Sequence, residues 1–431
     1  MFRLQMFRLQ MFRLQMYKER MEYTTIGGGK KHARVTFFCG GMAVIWIFLH
    51  KFATDWDDVS FIYLSFFMYR QSFIYHLISV SPECGTYRSF WLVSLLWLVA
   101  ASLPARCPLV LPQHDMHRWG VPAGDYSGIT PIGGNRYALI SDKQSCNGWH
   151  EVDIRFKRSG DIRRMKYLGF HADSTSMDRV RDAEDIVCVE GRFFVSAEDD
   201  QQILELDAFG KPTGRQLMVP DCFSRKNIYT NNGFEALAYD AASKSFWTTT
   251  EQGLCRDIHA LTSIHYPEPT LLRLQRFNAQ LQPSGQFAYR TDAPRTRLST
   301  RYCGFGVPAM TVLNDSTLLV MERELYMSDD FRSSCCFIKI FSVDTRRLKP
   351  LQDSTSLLHI PDELFAAKRL LVEFSTSFSK PKAQEYANYE GMCLGPVTAQ
   401  GRQTLLLVAD SQCRKKRHSH RMKDHIRVIV L

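Results

Sequence analysis

From Tyr126 onward, short apolar runs alternate with turn signals and seldom exceed six residues. Tyr137-Ala-Leu-Ile-Ser, Arg192-Phe-Phe-Val-Ser, Gln202-Ile-Leu-Glu-Leu, Ser245-Phe-Trp-Thr-Thr-Thr, Thr317-Leu-Leu-Val-Met and Thr404-Leu-Leu-Leu-Val-Ala carry the β-branched and aromatic residues that suit a pleated, half-buried surface. Gly133-Gly134-Asn135, Glu190-Gly191, Phe209-Gly210-Lys211-Pro212, Asn314-Asp315-Ser316 and Gln400-Gly401 separate them. No long amphipathic helix stands out, and Asp362 to Val372 is the one stretch that predicts a short helix. About 300 residues of short strands without helical alternation predict a closed all-β architecture.

The first hundred residues follow another pattern. Met-Phe-Arg-Leu-Gln occurs three times in tandem from Met1 to Gln15, a period of five that matches neither a helix nor a strand face and reads as a short duplication in the coding DNA. Val35 to Leu49 is apolar but short for a bilayer span, and Phe61 to Val80 is interrupted by Arg70 and His76. Phe90 to Leu103 follows Arg88 and ends at Pro104-Ala105, the layout of a secretory signal with cleavage expected after Ala101 or Ala105. Such a signal belongs at the start of a chain. Residues 1–85 therefore read as an upstream extension from a misassigned start, the alternative being a membrane anchor built from the apolar runs. The expected organisation is a leader over 1–85, a signal-like segment over 86–105 and a body over 120–431. The body is expected to be exported, periplasmic or extracellular, and membrane-anchored only if the leader is retained.

Charge changes the picture less than its total suggests. The chain carries a formal +10, which invites a nucleic-acid partner. Residues 1–105 account for +5 and residues 414–427 for +6, leaving the rest at −1. The body is neutral, so no nucleic-acid partner is expected, and membrane contact is expected only through the N-terminal segments. A monomer acting on a small ester or phosphate is the expected state. Twelve cysteines at irregular spacings, with no C-x-x-C pair, read as scattered small core residues, and adjacent Cys335 and Cys336 do not suit a mutual bridge.

One acidic pattern recurs. Glu184 opens a strand whose neighbour closes on Glu198, Glu235 one that closes on Glu251, and Glu390 one that closes on Asp410. Strands ending at Asp142 and Glu322 add two more acids. One sheet unit repeated with its acids at the same strand end is how a β-propeller lines its channel; six blades are expected, with five to seven admissible. Clustered carboxylates need a cation or shared protons, and Arg323 beside Glu322 and Lys143 beside Asp142 are candidate counter-charges.

These residues resemble the esterase-like phytase-like domain family of exported, Bacteroides-like bacterial proteins. The resemblance rests on Asp125-Tyr-Ser-Gly-Ile, Asn135-Arg-Tyr-Ala-Leu-Ile-Ser-Asp-Lys, Arg181-Asp-Ala-Glu-Asp-Ile, Gly233-Phe-Glu-Ala-Leu-Ala-Tyr-Asp, Leu319-Val-Met-Glu-Arg and Asn388-Tyr-Glu-Gly-Met-Cys-Leu-Gly-Pro, in order over about 120–431. It implies a propeller with phytase-like or ester-hydrolysing activity. It carries over Ser127, Asp142, Lys143, Glu184, Glu198, Glu235, Glu251, Glu322, Arg323, Glu390 and Asp410. Asp185 departs from the family's Gly, and Val307-Pro308-Ala309 stands where an acidic corner is usual.

Chemistry follows by exclusion. There is no Gly-x-Ser-x-Gly elbow, no H-E-x-x-H and no P-loop; Ser127, in Gly124-Asp-Tyr-Ser-Gly, reads as a turn residue, and His259 and His265 read as surface loop. What remains is carboxylate chemistry, with Ca²⁺ the expected ion. Asp142, Glu198, Glu251, Glu322 and Asp410 are the candidate ligands, and Glu235, Glu184, Glu390 and Arg323 the candidate catalytic groups. The function expected is metal-assisted hydrolysis of phosphate or carboxylic esters, a lactonase-type propeller being one variant. The alternative is a non-catalytic propeller binding a ligand or partner in the cell envelope.

Overall fold

The structure is a computed structural model. It describes residues 18–26, 30–39, 43–51, 59–68 and 71–73, and residues 107–431 apart from 143, 145, 173–181, 259–267, 296–301, 330–332, 379–385 and 412–421. The signal-like segment, Lys143, His259, His265 and most of the basic segment 413–423 lie outside the described residues. Two units are distinguished, Met1–Ala105 and Arg106–Leu431. In the first, β1 (Lys18–Ile26), β2 (Lys30–Cys39), β3 (Ala43–Lys51), β4 (Val59–Met68) and β5 (Gln71–Phe73) pair in sequence order as an antiparallel meander. No helix among the described residues is long and apolar enough to cross a membrane.

The second unit is a β-propeller of five blades, one fewer than expected. Short β6 (Leu109–Val110) and β7 (His114–Asp115) precede the first blade, which is β8 (Tyr126–Gly133), β9 (Arg136–Ser141), β10 (Gly148–Phe156) and β11 (Ile162–Ala172). The second is β12 (Ala183–Val189), β13 (Arg192–Ala197), β14 (Gln202–Leu206) and β15 (Pro212–Gln216). The third is β16 (Phe234–Asp240), β17 (Ser245–Thr250), β18 (Leu271–Phe277) and β19 (Pro283–Arg290). The fourth is β20 (Tyr302–Asn314), β21 (Thr317–Met327), β22 (Cys335–Asp344) and β23 (Lys368–Ser377). The fifth is β24 (Asn388–Leu394), β25 (Thr404–Asp410) and β26 (His425–Val430), completed by β6 and β7 on the edge of β26. That pairing ties the start of the domain to its end, so the ring has no open blade edge at its seam. The count falls to five because long connections, 217–233 and 345–366 among them, stretch the repeat.

The first strand of each blade is innermost, and β8, β12, β16, β20 and β24 contact one another in cyclic order. Both faces of a blade are therefore covered. This is why β13 and β17 are buried along almost their whole length rather than alternately. Five hydrophobic clusters fill the five interfaces: Ile140 and Val195 between blades one and two, Phe194 and Phe246 between two and three, Trp247 and Val320 between three and four, Ile340 and Leu407 between four and five, and Val152 and Val428 across the seam. Turn chemistry matches the sequence: Glu190 (φ 52°) and Gly191 (φ 79°) are the two-residue loop joining β12 and β13, a connection that needs positive φ at both positions.

Asp362 to Val372 is not a helix. A 3-10 turn at Asp362–Leu364 gives way to β23, whose residues from Lys368 pair with β22. Cross-strand pairing overrides local propensity there. Every described cysteine of the second unit is unbridged, Cys335 and Cys336 included.

Candidate functional site

Each inner strand is interrupted at the same place. The ladder to its neighbour breaks at Ser127 in β8, Glu184-Asp185 in β12, Glu235-Ala236 in β16, Val307-Pro308 in β20 and Glu390 in β24. A bulge of this kind leaves residues out of the ladder and re-aims their side chains. Five-fold repetition of the bulge therefore brings residues far apart in sequence to one end of the channel. Ser127 is thus a buried strand residue, not a turn residue, and its hydroxyl has no hydrogen-bond partner among the described residues.

The pair before the bulge sets a common register: Tyr126 with Ser141, Ala183 with Ala197, Phe234 with Thr250, Gly306 with Arg323 and Tyr389 with Ala409. One residue further on stand Asp142, Glu198, Glu251, Glu324 and Asp410. In blade four the equivalent acid is Glu324, not Glu322, because β21 runs on to Met327. Glu322 lies outside the cluster. It accepts from Tyr289 Oη at 2.6 Å, from the Asp292 amide at 2.9 Å and from Lys368 Nζ at 2.6 Å.

The remaining acids form two groups. Carboxylate oxygens of Glu184, Glu198 and Glu235 all lie within 4.8 Å of one another, and each residue is buried. Glu198 Oε1 also accepts the amide of Gly233, at the entrance to blade three, at 2.8 Å. Neither Glu198 nor Glu235 is ion-paired among the described residues. Burial pushes Glu198 up to about 7, against the pull of the Gly233 amide and with added repulsion from Glu251. Burial also raises Glu235 well above the usual carboxylate range, and repulsion from Glu184, Glu251, Glu198 and Glu390 adds to it. Glu184 is shared with a second group, its ligand atom and those of Asp142 and Asp182 again lying within 4.8 Å of one another.

The second half of the channel carries its own cation. Arg323 pairs with Glu251 of blade three and with Glu390 of blade five, and donates to Asn388 Oδ1 at 3.0 Å. Asn388 Nδ2 donates in turn to Glu390 at 2.6 Å. Arg323 occupies the register position of Thr250 and Ala197, in the blade whose bulge holds Val307 instead of an acid. Burial alone would lower its affinity for the proton; Glu251 and Glu390 outweigh that and hold it higher than usual. Arg323 is thus the counter-charge of Glu251 and Glu390, not of its neighbour Glu322. Asp410 is buried and stands opposite Asn388 in the β24–β25 ladder.

Asp185 explains one departure in the sequence. It is fully enclosed, and its two oxygens accept the amides of Ile186 and, in blade three, Leu237, each at 2.8 Å. The equivalent Gly128 and Gly391 are packed so closely on the next blade that a Cβ would lie 2.7 Å from Asp185 Oδ1 and from the Ser127 carbonyl, respectively. Asp185 is therefore a strut between blades. Asp182 and Asn388 were not singled out in the sequence. Their common spacing, two residues before the bulge acids Glu184 and Glu390, is the signal that marks them.

This donor set suits a hard divalent cation. An oxygen-lined site with bonds of about 2.3–2.6 Å tolerates oxygens up to roughly twice that distance apart, which is the spacing of Glu184, Glu198 and Glu235.

Among solved structures, the chain is similar to a thermostable family-43 glycoside hydrolase (11% identity, 71% of this chain and 90% of that one, TM-score 0.37). It is also similar to the aldose sugar dehydrogenase of Streptomyces coelicolor in its PQQ-bound form (9% identity, 76% and 99%, TM-score 0.33). Both likenesses are remote. No curated protein matches the sequence. The family model described as esterase-like activity of phytase matches residues 121–412, and the chain belongs to this phytase-like family.

Proposed function

We propose that the protein is an exported ester hydrolase, acting on carboxylic or phosphate esters with a divalent cation, Ca²⁺ by its donor set, held by Glu184, Glu198 and Glu235. The observation that carries this is the convergence of three buried carboxylates within 4.8 Å at the end of the channel. Three such groups cannot all ionise side by side without a compensating charge. A bound cation supplies Lewis-acid polarisation of the ester oxygen. The chain's own part is proton handling and shape. Without a cation, burial and its acidic neighbours favour the protonated form of Glu235; a cation held there would displace that proton, so its binding is expected to tighten as the pH rises. Arg323 pairs with Glu251 and Glu390 and holds both side chains in place.

The test is calorimetric titration of the metal-free protein with CaCl₂, alongside turnover of p-nitrophenyl acetate and p-nitrophenyl phosphate. The expected result is saturable cation binding and cation-dependent turnover of one ester, both lost in Glu235→Gln with its fold retained. Cation binding without turnover would favour the second reading, a non-catalytic binding propeller. What supports that reading is Arg323, which compensates Glu251 and Glu390 within the protein itself.

A further inference from the structure

Tyr302 stands at the rim of the channel, on an extension that only blade four has among the described residues. In β8, β12 and β16 the residue of the common register is the first of its strand, and in β24 it is the second; in β20 it is Gly306, the fifth. The extra length carries Tyr302 past the ring of bulges. We propose that Tyr302 is a substrate-contacting residue, its hydroxyl donating to the carbonyl oxygen of a neutral carboxylic ester. The inference rests on the hydrolase reading for the chemistry, and it adds a residue that holds the substrate and the class of ester.

Strand alternation puts Tyr302, Gly304 and Gly306 on one face of β20, and Gly306 is paired with Arg323. The Tyr302 ring lies back over Gly304. A Cβ at Gly304 would stand 3.4 Å from Tyr302 Oη, 3.5 Å from its Cε1 and 3.8 Å from Arg323 Nη2. Phenol and guanidinium therefore flank one stretch of bare backbone. Tyr302 is 51% exposed, so a ligand can reach its ring from solvent. Its hydroxyl makes no hydrogen bond among the described residues. The channel groups act on it directly. Burial first, then Glu251, Glu390 and Glu235, push the phenol up, while Arg323 pulls it down, and it stays a protonated donor at neutral pH. Glu235 belongs to the cation cluster as well, which sets the phenol beside the proposed chemistry.

Charge selects the ester. Arg323 is already paired with Glu251 and Glu390. A divalent cation at Glu184, Glu198 and Glu235 is answered by those three acids. Five carboxyl groups then face three positive charges, and an ionised phosphate ester adds to the excess. A carboxylic ester is neutral, and its carbonyl oxygen asks only for a donor. Water adds to the carbonyl carbon and the π pair moves to that oxygen; its return expels the alcohol, to which the proton lost by the water passes. The phenol's hydrogen bond strengthens as the oxygen gains charge, which lowers the barrier more than it tightens the ground state.

The experiment takes two readouts on the full chain in CaCl₂, for the wild type and for Tyr302→Phe. Saturation-transfer NMR follows 4-nitrophenylacetone, a ketone that presents the carbonyl and cannot be hydrolysed. Steady-state kinetics follow p-nitrophenyl acetate and p-nitrophenyl phosphate. The expected result is ketone binding by the wild type, at least about fivefold weaker in the variant. Acetate turnover should fall at least about tenfold in kcat with little change in KM, while calcium affinity stays the same. Tyr302 is exposed, so the variant keeps the wild-type melting curve. No ketone binding by the wild type, equal ketone binding by the folded variant, a calcium affinity that falls in the variant, or preferential turnover of the phosphate ester would each overturn the proposal. Ketone binding that depends on Tyr302, without turnover of either ester, would sink only the hydrolase reading. Acetate turnover equal in both proteins would sink only this one.

Discussion

The guanidinium of Arg323 is paired directly to the carboxylate of Glu251, although the two residues belong to different blades. Both are buried, and the same guanidinium reaches Glu390 on its other side. Three of the five blades are therefore pinned through one side chain at the channel. Arg323→Met would leave buried Glu251 and half-buried Glu390 facing each other. The expected cost is about 3–5 kcal/mol, the range for removing one partner of a buried pair. Urea unfolding followed by tryptophan fluorescence measures it. Adding Glu251→Gln to Arg323→Met should restore part of the loss, because the orphaned charge goes with it. Equal stability of Arg323→Met and wild type would show that solvent, not Arg323, compensates these acids.

The class of fold was legible in the chain because β-branched runs and turn signals repeat from Tyr126 to the end. The blade number was not, since the 217–233 and 345–366 connections hide the period. Glu184, Glu198, Glu235, Glu251 and Glu390 could be singled out because one bulge recurs and puts an acid at the same offset in several blades. Glu322 was misplaced for a physical reason. The apolar run stops at Met321, but β21 continues through Glu322-Arg323-Glu324 to Met327, and alternation along a strand turns Glu322 and Arg323 to opposite faces. The close approach of Gln201 to Gly233, thirty-two positions away, was invisible in the sequence. No local pattern encodes that approach.

A second buried pair makes a claim on stability away from the channel. Arg273 and Asp257 are each 1% exposed and joined by two hydrogen bonds, Nε to Oδ2 at 2.6 Å and Nη2 to Oδ1 at 2.9 Å. Asp257 Oδ1 also accepts the amide of Leu357 at 2.9 Å, and Arg273 donates to the carbonyl of Thr355. The pair therefore anchors the 345–366 connection to blade three. Arg273→Met should cost about 3–5 kcal/mol and loosen that connection first. Limited trypsin digestion reads this directly, because Arg346 and Arg347 are exposed in the same segment. Cleavage there should quicken in the variant well before global unfolding. Unchanged cleavage would mean that the connection is held by its apolar contacts, among them buried Leu357.

Two histidines at the seam predict loss of stability in mild acid. His150 of β10 and His425 of β26 are both held down to about 4, chiefly by burial. The His150 ring is hydrogen-bonded to Tyr167 at 3.0 Å and meets Tyr126 edge-on at 5.2 Å. Asp424 is the carboxylate that favours its charged form. His425 is faced by Asp115 and Asp424, which favour charge, and by Lys423 and Arg427, which oppose it. A histidine whose folded value lies below its unfolded value binds its proton more readily when unfolded. Stability is then full above the unfolded value of about 6.5 and falls as the pH drops toward 4. His117 works in the opposite sense. Its hydrogen bond to Asp424 raises it, so it stabilises at low pH and loses that contribution as the pH rises, but it is more exposed than either of the other two. Asp115 is held below its usual range by Lys423, against the effect of burial, and stays ionised across this window. The expected net loss is about 1–2 kcal/mol per buried ring between pH 6.5 and 5, measured as unfolding free energy in urea at half-unit steps. His425→Asn, which cannot take up the proton, should flatten the slope. A slope that is flat in the wild type, or unchanged in the variant, would assign the acid sensitivity of the seam to other groups.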